Sequence, residues 1–205
     1  MAFENRGEPV GATLSHPHGQ IYAFNPTPPL VADRLEALRA FRRDRRSCLS
    51  CHIVEIGDAS ERFVAANDSF VIVSPFAARW PFEVHVRARR HGLGRMSDMT
   101  PGEQRDLAAA LRQVVTRYNA LFEFELSYMM VALEAPGDEP DWHLAFEFYP
   151  PHRSTQLTKV RASVETATGL FINDTLPEVT ARQLAALPGP EFEEHDACGV
   201  VPAEA

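Results

Sequence analysis

The sequence lacks the features that would tie the protein to a membrane or to secretion. No apolar run approaches the roughly 20 residues that a membrane-spanning helix needs. The N-terminus shows no charged-then-apolar export signal. Cysteine is scarce, with 3 residues in 205, which is too few for a disulfide framework. These absences predict a cytoplasmic protein with no membrane partner.

An excess of positive charge is also missing. The formal net charge is -8 at pH 7, which argues against wholesale binding of nucleic acid. Two local basic clusters, at 39–46 and 87–91, fit a solvated helix face and a strand end, although the second could touch a phosphate. With 45% hydrophobic and 23% charged residues, the chain suits one globular domain with extensions.

Apolar periodicity indicates an α+β architecture. The helix at 101–122 has the clearest start, because Thr100 is a good N-cap, Pro101 takes the first helical position and Glu103 completes a capping box. Helices are also predicted at 30–46 and 177–187, and strands at 13–24, 63–74, 81–89, 125–133 and 142–149. Strands, a long helix and further strands predict a helix packed on an antiparallel sheet.

Alternation along 81–89 predicts a strand with one buried and one exposed face. The apolar positions are Phe82, Val84 and Val86, and the intervening polar positions are Glu83, His85 and Arg87. We expect the polar side chains to face solvent.

The stretch with the most chemical content is His-Pro-His-Gly-Gln at 16–20. Because side chains alternate faces along a strand, His16, His18 and Gln20 would share one face of the predicted strand 13–24. Three polar groups in a row need partners if they are buried, and core packing would use valine or isoleucine instead. We therefore interpret the row as a functional site rather than as a surface strand with incidental histidines.

This stretch resembles the active-site segment of galactose-1-phosphate uridylyltransferases, members of the histidine-triad-like (HIT-like) superfamily. The flanking matches are Phe-Glu-Asn-Arg-Gly at 3–7, Gly-Ala-Thr at 11–13, Phe-Tyr-Pro-Pro at 148–151 and Phe-Ile-Asn-Asp-Thr-Leu-Pro-Glu at 171–178. The resemblance covers roughly residues 3–187. It implies an α+β fold with a HIT-like antiparallel sheet and packed helices, preceded by an extended catalytic arm.

In that family the segment closes the first of two similar domains, whereas here it begins at residue 3. The resemblance therefore implies four parts: a catalytic arm of an absent first domain at 1–28, a linker helix at 29–46, a C-terminal HIT-like domain at 47–187 and a disordered tail at 188–205. A separately encoded N-terminal half would complete the enzyme, as a homo- or heterodimer.

The resemblance assigns His18 as the nucleophile, and a neutral imidazole suits that role near pH 7. It would attack the α-phosphorus of UDP-glucose, release glucose 1-phosphate and pass the uridylyl group to galactose 1-phosphate in a ping-pong reaction. Gln20 stands where hydrolytic relatives have a third histidine. An amide cannot act as an acid, but it can donate a hydrogen bond to a phosphoryl oxygen.

Four further residues are assigned to substrate binding by the resemblance. Asn5 matches a residue that holds the nucleotide near its phosphates, and Thr13 lies where a small phosphate-contacting hydroxyl sits. Lys159 and Glu165 match the region that holds the hexose end from the facing subunit of a dimer. Lys159 could neutralise a sugar phosphate, and a solvated lysine is the equal alternative.

Cys48 and Cys51 form a Cys-x-x-Cys motif followed by His52, which has three interpretations. Attachment of c-type haem requires export, and a thiol redox pair would sit in a βαβ context that is not evident here. The third interpretation is zinc. With His91 after one strand and His143 at the head of another, the cysteines would complete a Cys2His2 tetrahedron. We therefore predict a structural zinc.

The family resemblance supports this order of ligands, because the first domain of many members carries Cys-x-x-Cys, a distant histidine and the first histidine of the row. By the same logic His16 would be a ligand of the first domain's zinc. Some members hold an iron in the second domain, and the positions that would supply its histidines here are Leu133, Ala145 and Glu147. We therefore expect no iron.

Two other functions stay open at the level of sequence. The chain could be an inactive remnant or binding module that folds and holds zinc without turnover. It could also be a different HIT-like nucleotidyltransferase, or a dinucleoside polyphosphate phosphorylase, that uses the same His-x-His-x-Gln row. Label transferred from UDP-glucose to His18 would favour the uridylyltransferase, and labelling by ADP-containing donors would favour the last alternative.

Overall fold

The computed structural model describes residues 1–12, 14 and 16–190. The described strands are β1 Ala2–Arg6, β2 Gly19–Ile21, β3 Phe63–Ala66, β4 Phe70–Val73, β5 Val84–Ala88, β6 Tyr128–Leu133 and β7 Ala145–Tyr149. The described α-helices are α1 Pro29–Arg45, α2 Leu49–Asp58, α3 Pro101–Leu121, α4 Ser163–Thr168 and α5 Pro177–Ala186. None of the described helices combines the length and the hydropathy needed to cross a bilayer.

The seven described strands form one sheet in the order β2-β1-β6-β7-β5-β4-β3. Every neighbouring pair is antiparallel. The prediction of an α+β fold with an antiparallel sheet and packed helices is therefore confirmed.

The main hydrophobic core lies between the sheet and helices α3 and α5. Helix α3 starts with the predicted capping box between Thr100 and Glu103. Its apolar stripe packs on alternate residues of the central strands, and Tyr118 is fully buried with its hydroxyl donating to the carbonyl oxygen of Phe82 at 2.7 Å. Buried members of this core include Phe70, Ile72, Val84, Val86, Leu107, Val114, Phe146 and Phe148.

Helices α1 and α2 cover the opposite face of the sheet. Leu38 of α1 packs with Leu133 and Trp142, and Val54 of α2 packs with β4 through Val71. Both faces of the central strands are therefore buried, and the residues between the two layers are shielded from solvent.

This second layer overturns the expectation that the polar face of the strand at 81–89 is exposed. Glu83 is 1% exposed and His85 is 4% exposed, and Arg87 is largely buried, with 16% of its side chain exposed. The reason is that α1 lies over this face and brings Arg34 to Glu147 of the neighbouring strand. Polar alternation along a strand does not by itself distinguish a solvent-exposed face from a face buried in an ionic layer.

The strand predicted at 13–24 is also shorter than expected. Among the described residues of this stretch, only Gly19–Ile21 pairs with β1, with Gln20 opposite Phe3 and Gly19 opposite Glu4. Pro17, two residues before Gly19, has no N–H to donate to a ladder, which favours the start of the pairing after it. The strand predicted at 63–74 is likewise divided into β3 and β4.

The predicted division into domains stays a prediction. Strands β1 and β2 add to β6, so the predicted arm at 1–28 contributes to the same sheet as the region 47–187. The helix predicted at 30–46 is present as α1. Of the predicted tail at 188–205, residues 191–205 lie outside the described residues.

Candidate functional site

The two histidines of the row face a cleft at the start of the chain. The cleft has a volume of about 940 Å³, and its lining includes Asn5, Gly7, His16 and His18. The imidazole rings of His16 and His18 lie 5.8 Å apart, centre to centre. The structure therefore brings Asn5 together with both histidines.

The orientation of His18 is fixed by its own backbone neighbourhood. Its Nδ1 lies 3.1 Å from the carbonyl oxygen of His16. Because a carbonyl oxygen only accepts, Nδ1 carries the proton and donates it to this bond. The Nε2 lone pair is then available, and the ring is half-buried at the cleft. This is the tautomer that a nucleophilic imidazole requires.

Gln20 is placed apart from the two histidines. It lies on the edge strand β2, is exposed, and is not among the described residues that line the cleft. The predicted row of three side chains on one face is thus interrupted between His18 and Gln20. The fourth predicted residue of this region, Thr13, lies outside the described residues.

The wall of the cleft is built from β1 and the start of β6. Tyr128 donates its hydroxyl to Glu4 at 3.3 Å, and the guanidinium of Arg6 lies 5.8 Å from the centre of the Tyr128 ring. Burial and the nearby Glu4 carboxylate raise the pKa of Tyr128 to about 12. Gly7 has φ +95°, and a Cβ there would collide with Ser127, so this turn accepts only glycine.

Lys159 and Glu165 form an ion pair away from this cleft. Lys159 Nζ lies 2.7 Å from Glu165 Oε1, and the two side chains are 0% and 5% exposed. Lys159 also donates to the carbonyl oxygen of Ile172. The Lys159 ammonium, together with the backbone N–H groups of Ile172 and Ala162, lowers the pKa of Glu165 to about 2. Their assignment to substrate binding stays a prediction.

A second cluster joins the four predicted zinc ligands. The ligand atoms of Cys48, Cys51, His91 and His143 all lie within 4.8 Å of one another. Cys51 Sγ is 3.5 Å from His91 Nδ1 and 3.5 Å from His143 Nε2, and Cys48 Sγ is 3.7 Å from His143 Nε2. Ligands about 2.0–2.3 Å from a tetrahedral ion have separations of this size. The four residues therefore form a possible metal-binding group.

Local structure explains how the sequence assembles this cluster. Cys48 is the N-cap of α2 and its Sγ accepts from the backbone N–H of Cys51 at 3.4 Å, which places both thiols on one helical turn. His91 follows β5 and His143 precedes β7, and these two strands are paired. His143 Nδ1 donates to the carbonyl oxygen of Ala88 at 2.8 Å, so Nε2 faces the sulfurs unprotonated.

The surroundings of the cluster hold the cysteine loop in place. The carbonyl oxygen of Asp141 accepts from Ser50 Oγ at 2.7 Å and from Cys48 Sγ at 3.5 Å. The Arg42 guanidinium pairs with the Asp141 carboxylate and lowers its pKa. Burial raises the pKa of the Cys48 thiol to about 11, a shift that a bound cation would oppose.

Sequence reasoning missed a third cluster, the buried ionic layer beneath α1. Arg34 binds both carboxylate oxygens of Glu147, at 2.6 and 2.7 Å, and the Glu147 side chain is fully buried. Although burial opposes ionisation, the neighbouring His85 and the guanidinium groups of Arg34 and Arg87 lower the pKa of Glu147. Of the positions considered for iron, Leu133 and Ala145 offer no ligand atom, and Glu147 is held by Arg34. An arginine on a helix and a glutamate on a strand gave no pairing signal in the sequence.

With this geometry in hand, comparison with known proteins identifies the family. Residues 34–196 match the family described as "Galactose-1-phosphate uridyl transferase, C-terminal domain". The chain belongs to this family. The resemblance drawn from the His-Pro-His-Gly-Gln segment is thereby confirmed.

Full-length relatives agree with this assignment. A galactose-1-phosphate uridylyltransferase of Thermotoga maritima is 41% identical over 186 residues, covering 89% of this chain and 58% of the relative. One from Saccharomyces cerevisiae is 32% identical over 195 residues, covering 91% and 52%. This family member therefore spans little more than half the length of these two relatives.

Solved structures show the same fold. A uridylyltransferase structure is 35% identical, with a TM-score of 0.84 over 90% of this chain and 59% of that one. An ADP-glucose phosphorylase from Arabidopsis thaliana with bound ADP-glucose reaches a TM-score of 0.79 at 23% identity, over 91% and 58%. The second likeness concerns the fold alone.

Proposed function

We propose that this chain is part of a nucleotidyltransferase that moves UMP between UDP-glucose and galactose 1-phosphate. The observation that carries the proposal is the 3.1 Å contact between His18 Nδ1 and the carbonyl oxygen of His16, which leaves Nε2 without a hydrogen-bond partner among the described residues at a cleft of about 940 Å³. Membership of the galactose-1-phosphate uridyl transferase family supports this choice of substrates.

The reaction would run in two displacements at one phosphorus. His18 Nε2 attacks the α-phosphorus of UDP-glucose, the bond to the bridging oxygen breaks, and glucose 1-phosphate leaves. A phosphate oxygen of galactose 1-phosphate then attacks the uridylyl-histidine and regenerates the imidazole with formation of UDP-galactose. The leaving group is a phosphate that needs no proton, so no acid is required of Gln20, which would come close to it only after an N-terminal half completes the site. Asn5, which lines the cleft with His18, would hold the nucleotide phosphates.

The remaining site residues would come from an N-terminal half across the open edge of β2. Gln20 and Ile21 on that edge are exposed, with Ile21 81% exposed, and the full-length relatives are longer than this chain. Pairing with a further strand would turn Gln20 from a solvent-facing group into one at an interface. We place this reaction in the cytoplasm, and we propose a homo- or heterodimer in which Lys159 and Glu165 position the hexose end.

Zinc is the ion that we propose for Cys48, Cys51, His91 and His143. Two thiolates and two imidazoles fill a tetrahedral set and leave no open position, which suits a structural site. When bound, the ion would tie the start of α2 to the strand ends at β5 and β7. His16, which is exposed at the cleft, would join a corresponding zinc site of the N-terminal half.

We propose that no iron is held at Leu133, Ala145 and Glu147. The first two side chains carry no donor atom, and both oxygens of Glu147 are already bound by Arg34. Metal analysis of the purified protein should therefore find about one equivalent of zinc per chain and no stoichiometric iron. Stoichiometric iron would contradict this assignment.

The test of the chemistry is a labelling experiment with the N-terminal half of the Thermotoga maritima relative added in excess. UDP-glucose labelled in the α-phosphate should give a protein adduct that is labile to acid and stable to alkali, as a phosphoramidate is. His18→Ala should abolish this adduct, and galactose 1-phosphate should discharge it as UDP-galactose. Unchanged labelling of His18→Ala, or labelling by ADP-glucose in preference to UDP-glucose, would refute the proposal.

Gln20 is tested by a matched pair of variants in the same mixture. Gln20→His should raise hydrolysis of UDP-glucose relative to transfer, because an imidazole can supply the proton that water chemistry needs. Gln156→His, in an exposed loop outside the cleft, should leave the ratio unchanged. Equal ratios for both variants would remove Gln20 from the proposed mechanism.

A further inference from the structure

A cavity of about 230 Å³ lies between the sheet and the helices α1 and α2. It shares no lining residue with the cleft that holds His18. Its floor is formed by three cross-strand neighbours, since Ala145 pairs with both Arg87 and Leu133. The small side chain of Ala145 leaves the space open above it.

The walls of this cavity are divided in character. Arg34 and Arg87 form one end. The rest is largely apolar, with Leu38 from α1, Ile53 from α2 and Trp142 before β7. A ligand that fits both ends has a negative group on an apolar body.

The ionic layer at the charged end carries a surplus of positive charge. Its cations are the guanidinium groups of Arg34, Arg79 and Arg87, and its anions are the carboxylates of Glu83 and Glu147. His85 adds no charge, because its Nε2–H donates to Glu83 at 2.8 Å while its Nδ1 accepts from Arg87 at 2.9 Å. Three positive groups thus face two negative ones in a partly shielded layer, in which the side chains of Arg34, Arg79 and Arg87 are 33%, 23% and 16% exposed. An uncompensated charge costs most at the most buried of these, Arg87.

Arg87 is the group on which this surplus falls. Arg34 donates two hydrogen bonds to the Glu147 carboxylate. Arg87, in contrast, makes a single side-chain hydrogen bond within the described residues, to His85, and its guanidinium lies 3.7 Å from Glu147 Oε1. Burial lowers the pKa of Arg87, but a guanidinium stays charged in proteins. Arg87 lines the cavity, and a guanidinium has the fork geometry that binds a carboxylate.

We propose that this cavity binds a small monocarboxylate with an apolar body, whose carboxylate pairs with Arg87 and whose body lies against Leu38, Ile53 and Trp142. One carboxylate matches the single surplus charge. The volume is below the ~300–1,000 Å³ of sites for drug-sized ligands, so the ligand is a short branched or small aromatic acid.

The test uses isovalerate and its uncharged analogue isovaleramide as probes on the full chain. The protein has 2 tryptophans, and Trp142 lines the cavity while Trp80 lies beside Phe171. Titration with isovalerate should shift the Trp142 indole N–H resonance saturably and leave that of Trp80 unchanged. Isovaleramide should bind roughly tenfold or more weakly, because it cannot pair with a guanidinium charge.

Variants then locate the site. Arg87→Met and Ala145→Leu should each abolish the Trp142 shift, the first by removing the charge and the second by filling the cavity. Arg95→Met, at an exposed arginine that donates to the Gly137 carbonyl, should bind isovalerate as the unmodified chain does. A thermal melt of each variant reports whether it is folded.

Four outcomes would overturn the proposal, and three of them need no variant. The first two are an absence of saturable isovalerate binding and equal binding of acid and amide. The third is inorganic phosphate binding as tightly as isovalerate, because the apolar walls would then play no part. The fourth is undiminished binding by a folded Arg87→Met protein. None of these readouts depends on transfer activity, so the proposal fails or stands apart from the proposed enzyme function.

Discussion

Glu147 is the residue on which the charges beneath α1 converge. Its side chain is fully buried, and Arg34, Arg79, Arg87 and His85 all lie within 3.7 Å of its oxygens. Tyr149 also donates its hydroxyl to it. A single carboxylate therefore holds together side chains from a helix, a loop and two strands.

Replacing this carboxylate should be costly. Glu147→Gln leaves three arginines without their shared anion, and breaking a buried ion pair from one side should lower the free energy of unfolding by about 3 kcal/mol or more. Glu61→Gln is the control, because Glu61 pairs with Arg182 at the surface, where both side chains are mostly exposed, and should change it by less than about 1 kcal/mol. Urea unfolding measures both, and equal losses would contradict the central role of Glu147.

His152 is also buried, but it lacks the hydrogen-bond partners that Glu147 has within the described residues. Neither of its ring nitrogens has a hydrogen-bond partner within the described residues, and its ring packs edge-on to Phe124 at 5.2 Å. A buried polar group without a partner is destabilising, so His152→Leu should raise the free energy of unfolding by about 1 kcal/mol. A lower melting temperature for this variant would show that the imidazole has a partner.

The burial of His152 also predicts how the stability of the protein depends on pH. Burial lowers the pKa of His152, so the unfolded chain, in which the imidazole pKa is about 6.5, binds the proton more tightly than the folded chain. The titration of His152 therefore costs no stability near neutral pH, and it lowers the free energy of unfolding as the pH falls below about 6.5. The urea midpoint of the unmodified chain should therefore drop more steeply between about pH 7 and pH 5 than that of His152→Leu. Parallel curves would contradict this sign.

At the scale of elements, α2 depends most on the metal cluster. Cys48 caps the helix and Cys51 lies in its first turn, so a zinc ion there would link the start of α2 to His91 and His143. Helix α3 has its own capping box and a buried stripe and needs no such link.

Removing the metal should therefore act on one helix. A chelator should increase amide hydrogen exchange in α2 while exchange in α3, the internal control, changes little. Cys51→Ser should reproduce the effect without a chelator. Equal increases in both helices would indicate global unfolding, and no change in α2 would contradict a structural ion at this site.

Elements defined by local signals could be predicted from the sequence, and those that depend on distant contacts could not. Helix α3 was predicted within one residue because its start and its apolar stripe are both local signals. The grouping of Cys48, Cys51, His91 and His143 was predicted because residue type and spacing are restrictive. The buried polar face of β5 was not, since it depends on α1 reaching across the sheet from about fifty residues away, and only the Arg34–Glu147 contact shows it.

The residues of the histidine row likewise separate what the sequence predicts from what only the structure shows. His16, His18 and Gln20 were predicted to share one face of a strand, and of these His16 and His18 line one cleft together with Asn5. The placement of Gln20 outside it depends on where pairing with β1 stops, which Pro17 influences but does not determine alone. Lys159 and Glu165 keep the residue types expected of hexose contacts, yet a buried ion pair between them is visible only in three dimensions.

For the molecule as a whole, the described sheet ends in two edge strands, β3 and β2, which differ in what packs against them. Strand β3 is packed by α5, whereas β2 ends the sheet with a free row of amide and carbonyl groups within the described residues, beside the exposed Ile21. Such an edge templates the addition of any extended polypeptide. At high concentration the chain should therefore associate through β2, and a short peptide that pairs with β2 should keep it monodisperse.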